Sequence, residues 1–208
     1  GLWLALGTAT SLAAATPAQP AAPGAAVSDS ANPAETPPIA VEGFRSARFG
    51  MTEDDVRKAI VKDFGIKPDA IKAGENPAER TQLLTVLVPD LLPDGGTAQV
   101  SYVFGYKSKA LIQVGASWSK VTDDKITEAE LYADGDILRQ HFLTAGYKPD
   151  TIKTGLVLQN GILLFRGEDE AGRATILLLQ GQFADGADGK RVLTPSSLAL
   201  LYSADPAH

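Results

Sequence analysis

The chain has 208 residues, 44% apolar and 21% charged, with 19 Lys+Arg against 25 Asp+Glu and a formal net charge of −6, a composition that suits a globular protein and argues against a binder of the phosphate backbone. It contains no cysteine and two histidines, His141 and His208, so disulfides, thiol nucleophiles, Fe–S clusters and thiolate zinc sites are excluded. A histidine-based triad or metal cluster has almost nothing to draw on.

In chain order, residues 2–15 (LWLALGTATSLAAA) form an uncharged apolar run. It is shorter than the ~20 residues of a membrane span but fits a signal-peptide h-region, with Ala13-Ala14-Ala15 as an A-x-A cleavage site. The sequence opens on Gly1 without Met or a basic flank, which predicts a start further upstream. Residues 16–41 are rich in Pro and Ala and lack Lys and Arg, and such a segment is expected to be an extended tether. The expected location is therefore periplasmic or secreted.

The rest is organised by a similarity within the chain. FGIKPDAIKAG at 64–74 and AGYKPDTIKTG at 145–155 agree at seven of eleven positions, 81 residues apart, and repeats of this kind govern the fold. Before the first copy, Thr52 reads as an N-cap with Glu53, Asp54 and Asp55 in the first turn, Val56, Ala59, Ile60 and Phe64 on one face, and Gly65 as the C′ residue. Before the second, Thr127-Glu128-Ala129-Glu130 is a capping box, Leu131, Leu138, Phe142 and Ala145 share a face, and Gly146 ends the helix. Each KPD element predicts a turn or short helix with Pro at its first position, Asp69 and Asp150 capping backbone N–H groups.

Strands are predicted at 82–88, 97–105 and 110–118, and again at 162–167, 173–183 and 192–203, with a short one near 156–158 and Pro195 at an edge or bulge. The expected fold class is α+β: two tandem repeats, at 42–120 and 121–208, each of one helix, a KPD turn or short helix and a three-stranded antiparallel sheet. Because Ile176-Leu177-Leu178-Leu179 leaves no polar face, the two sheets are expected to cover one another.

Candidate chemistry is sparse. Gly115-Ala116-Ser117-Trp118-Ser119 lacks the last glycine of G-x-S-x-G and lies in a strand rather than at an elbow. The acidic loops 168–172 and 185–189 place glycine, not an oxygen ligand, at position 5 of a calcium loop. His141 reads as a half-exposed helix residue. No cofactor or metal site is predicted. The aromatic side chains Tyr102, Tyr106, Trp118 and Tyr202 are the candidate binding residues, since Trp and Tyr are over-used in protein contacts; packing between the repeats is the competing role.

Residues 49–60 (FGMTEDDVRKAI) resemble the Gly-Met-Thr-x-x-x-Val helix start of small envelope proteins of the BamE/SmpA kind, through Gly50, Met51, Thr52 and Val56. The tandem arrangement resembles the β-lactamase-inhibitory-protein architecture. The resemblance implies a non-catalytic, protein-binding envelope module, and the chain departs from the lipoprotein members in lacking the lipid-bearing cysteine. The leading expectation is a non-enzymatic exported protein-binding or structural module of the bacterial cell envelope, with an envelope protein or peptide as partner and neither nucleic acid binding nor a membrane span. The alternative is a carboxylate-dependent hydrolase or lyase with its site between the repeats.

Overall fold

The structure, a computed structural model, describes residues 36–205. The apolar segment 1–15 and tether residues 16–35 lie outside the described residues. Residues 36–41 are described and run against the rest of the chain. Ile39 N–H donates to Gly146 O at 3.0 Å, and Val41 is buried.

Two short strands, β1 (Gly43–Phe44) and β2 (Ala47–Arg48), pair as a hairpin ahead of helix α1 (Glu53–Phe64). Thr52 Oγ1 accepts the N–H of Asp55 at 3.3 Å, and Gly65 closes the helix at φ 62 in the left-handed region, which glycine enters without a Cβ clash. A 3₁₀ turn at Pro68–Ala70 leads into β3 (Lys72–Asn76), β4 (Thr81–Val88), β5 (Ala98–Phe104) and β6 (Leu111–Ser119). Helix α2 (Glu128–Leu143) opens with the reciprocal capping box of Thr127 and Glu130. A 3₁₀ turn at Pro149–Thr151 precedes β7 (Leu156–Leu158), β8 (Gly161–Glu168), β9 (Ala174–Asp185) and β10 (Arg191–Ser203).

The sheet overturns the expected fold class of two three-stranded repeats. All eight strands from β3 onward form one antiparallel sheet in the order β3-β4-β5-β6-β10-β9-β8-β7. The halves meet edge to edge rather than face to face, because β6 and β10 pair from Ser119↔Ser197 to Gln113↔Ser203. That pairing satisfies the backbone groups of both long strands and leaves only β3 and β7 as sheet edges. β3 went unpredicted because Lys-Ala-Gly-Glu-Asn carries little β propensity.

Alternation then assigns two faces. On one, Leu84, Tyr102 and Val114 line up with Tyr202 and Thr175, and Val86, Val100 and Ala116 with Leu200, Leu177 and Phe165. This face is buried with Val56 and Ile60 of α1, Leu131, Leu138 and Phe142 of α2, and Val41 and Ala47 of the N-terminal strap. Burying the Val, Leu, Ile and Phe side chains among these stabilises by ~1.5–3 kcal/mol each before conformational entropy is charged against them.

Two local expectations also change. Gly146 (φ 103) does not end α2; Thr144 caps it, and the Gly146 position leaves room for Pro37 O, which a side chain would displace. Neither Asp69 nor Asp150 caps its 3₁₀ turn. In the second turn Thr151 takes that part, its Oγ1 donating to Lys148 O at 2.7 Å and accepting Glu168 N–H at 2.9 Å.

Candidate functional site

The four aromatic candidates do not converge. Tyr102 and Trp118 are fully buried on the helix-covered face, and neither the Tyr102 hydroxyl nor Trp118 Nε1 has a hydrogen-bond partner. Burial pushes the Tyr102 hydroxyl up, Asp63 adds to this and Arg45 opposes it. Tyr202 stacks on Phe44 at 5.8 Å and meets Phe142 edge-on at 6.4 Å, and burial raises its hydroxyl too, with Tyr147 adding. Only Tyr106, 47% exposed in the β5–β6 turn, faces outward, with Arg80 and Lys109 at 5.8 and 5.2 Å from its ring centroid.

The carboxylates are more informative. Asp134, in the middle of α2, is 3% exposed, its Oδ2 has no partner, and burial, with Glu130 adding, pushes its carboxyl up to about 6. It underlies Gly95 of the β4–β5 loop, where an added Cβ would stand 2.8 Å from Oδ1. Asp123 approaches the adjacent Gly96 and is shifted the other way, downward, by the N–H groups of Thr97 and then Lys125. Opposed shifts in neighbouring acids are what acid–base chemistry exploits. Here, however, Asp134 is closed off beneath Leu92 and Gly95, while Asp123 is only half-buried. The third perturbed acid, Asp169, is 2% exposed and binds Val41 N–H, Arg173 N–H and the Arg173 guanidinium. Among the described residues no group of three or more His, Cys, Asp or Glu could hold a metal ion.

The second face of the sheet is where the surface is unusual. Its rows run Leu83-Val103-Gln113-Ser203-Ala174-Glu168, then Lys72-Thr85-Ser101-Gly115-Leu201-Ile176-Arg166, then Leu87-Gln99-Ser117-Ala199-Leu178-Leu163-Leu156. Charge occurs only on the outer strands, where Arg166 and Glu168 pair with each other at 3.1 Å. The centre is aliphatic, hydroxyl and amide. Ser117 lies here within β6, without the sharp turn a serine nucleophile requires. Residues of helices α1 and α2 and of the strap join the core on the other side, and Leu83, Val103, Ile176, Leu178 and Leu201 stay partly exposed.

Two hollows of ≈ 690 and ≈ 700 Å³ open on this face at opposite ends. One lies against the β9–β10 arm among Asn160, Gln180, Gln182, Thr194 and Ser197. The other lies among Asn76, Glu79, Thr81, Leu83, Val103, Ile112, Gln113, Ser203 and Asp205. The sequence carried one signal for this face. The apolar run 176–179 fills both sides of β9, Leu177 and Leu179 entering the core while Ile176 and Leu178 face outward.

No family model matches the chain, and no curated protein or solved structure matches it either. No helix among the described residues is long and apolar enough to cross a membrane.

Proposed function

We propose that this chain is a non-enzymatic protein-binding module of the bacterial cell envelope, and that the open face of its eight-stranded sheet is the contact surface. The observation that carries the reading is the uncharged, partly aliphatic centre of that face, set between two hollows and framed by charges on the outer strands. Apolar core with polar rim is the anatomy of protein interfaces. Eight strands at ~4.8 Å spacing and ~20 Å of strand length give a face on the order of 700 Å², near the ~800 Å² each partner contributes to a standard interface. The envelope location rests on the signal-like segment 2–15. Tyr106, beside the β4–β5–β6 end of the sheet, is the one aromatic candidate placed to join such a contact.

The test is recovery of a defined partner from envelope extract with the full chain, repeated with Leu178→Asp. Leu178 faces outward between Ala199 and Leu163, so the variant keeps the core and loses the partner. A partner retained equally by wild type and Leu178→Asp, with both chains folded, overturns the assignment of this face.

A further inference from the structure

We infer that the hollow at the Thr81 end of the open face is a specificity pocket for a basic side chain, arginine or lysine, presented by a protein partner; the inference rests on the reading of that face as the contact surface. The pocket is built from both halves of the chain. Asn76 Oδ1 accepts the N–H groups of Ala78 at 3.1 Å and Glu79 at 3.4 Å, folding 76–80 into a tight turn that sets Glu79 over the hollow. From the opposite side the end of β10 brings Ser203 and Asp205, held where Ala204 N–H donates to Ile112 O at 2.9 Å.

The floor and rim have different chemistry. Leu83, Val103 and Ile112 supply an apolar floor, and Gln113, Ser203 and Thr81 supply hydrogen-bonding groups. Thr81, which lines the hollow, is 6% exposed and its Oγ1 has no partner, an unmet group of the kind that calls for an explanation such as a ligand. Glu79 makes no ion pair among the described residues. Arg80 and Lys109 lie over the Tyr106 ring.

An arginine or lysine fits this arrangement at both ends. Its aliphatic stem covers Leu83, Val103 and Ile112 while its charged head reaches the Glu79 carboxylate and the amides of Asn76 and Gln113. An acidic side chain would be repelled by Glu79, and a purely apolar one would leave the Glu79 carboxylate desolvated without a partner. The chain's net charge of −6 draws basic partners from a distance.

The probe is Nα-acetyl-arginine amide, titrated to about 100 mM into the ¹⁵N-labelled full chain, because a lone side chain binds in the millimolar range. The uncharged isostere Nα-acetyl-citrulline amide is the control. Saturating shifts at the Thr81, Val103, Gln113 and Ser203 amides are expected with arginine and absent with citrulline. Glu79→Gln weakens the binding about threefold or more without changing the melt, and Thr81→Val weakens it with the fold intact. Absence of saturable shifts, equal response to citrulline, or indifference to Glu79→Gln overturns the pocket. If the pocket fails while partner recovery still depends on Leu178, only this inference falls; if arginine binds while recovery ignores Leu178→Asp, the pocket stands and the assignment of the whole face falls.

Discussion

Asp169 Oδ2 accepts the backbone N–H of Val41 at 2.8 Å, joining residues 128 apart in the chain. This bond pins the N-terminal strap to the β8–β9 turn, and the same carboxylate takes the Arg173 guanidinium at 2.9 Å. Burial would raise its titration, yet the N–H groups of Val41 and Arg173 and the Arg173 charge outweigh burial and hold the carboxyl below its usual value. A carboxyl lowered by folding stabilises above its unfolded value of ~4 and loses that contribution as pH falls through the folded value. Asp169→Ala should cost about 3 kcal/mol at pH 7, since it strands a buried N–H and a cation. Urea unfolding at pH 7 and pH 3 checks this, with the difference between wild type and variant shrinking at low pH. Fast hydrogen exchange at Val41 in the variant would locate the effect in the strap.

Asp134 runs the other way. Its carboxyl is raised to about 6 by burial, with Glu130 adding, so between ~4 and ~6 the folded state binds more protons than the unfolded one. Stability is then fully present below ~4 and falls as pH rises to ~6. Asp134→Asn removes the buried charge and should stabilise by ~1–3 kcal/mol at pH 8, with the gain vanishing near pH 4. Parallel stability curves for wild type and variant across that range would refute the account.

The parts of the fold that the sequence announces are those set within a few residues. The caps at Thr52 and Thr127 were legible because each cap and its partner lie three residues apart. The Pro195 irregularity was legible too, because proline cannot donate to a ladder, and the register slips between Pro195 and Ser197. The β6–β10 pairing joins segments about eighty residues apart and leaves no local mark, so one sheet was expected as two. Tyr102, Trp118 and Tyr202 carried the same ambiguity, since an aromatic residue in a strand reads alike whichever face it joins. Asp134, with Asp136, reads in the sequence as one more pair of ordinary loop acids, whereas here it lies within α2 under the β4–β5 loop. The contact face and its hollows depend on strand order, so their residues became visible only with the register.

The two KPD turns offer a direct comparison. Asp69 and Asp150 take no backbone N–H, while Thr151 Oγ1 both donates to Lys148 O and accepts Glu168 N–H. Asp69→Ala and Asp150→Ala should therefore each stay within about 0.5 kcal/mol of wild type. Thr151→Val keeps the shape and removes both bonds, and should cost about 1 kcal/mol. Thermal melts of the three variants under one condition decide it; a loss at either aspartate equal to that at Thr151 would restore the aspartates as caps.

The β9–β10 arm depends on one close approach. Beyond Gln180 and Ser197 the two strands pair only with each other, and the arm is held by Tyr132, whose hydroxyl donates to Leu193 O, and by burial of Leu193. Gly181 stands opposite Pro195 at the register slip. A Cβ there would press into Thr194 O and stand 2.9 Å from Pro195 Cα, both backbone atoms that no rotamer change can move. Gly181→Ala should therefore cost about 2 kcal/mol or more, while Gly189→Ala, with open space but φ 75, should cost about 1 kcal/mol from backbone strain alone. The Gly181 loss should be confined to the arm, with amides of 183–193 exchanging faster while those flanking Trp118 keep their protection. If Gly181→Ala melts like wild type and the arm amides stay protected, the close contact with Thr194 does not set the bend of the arm.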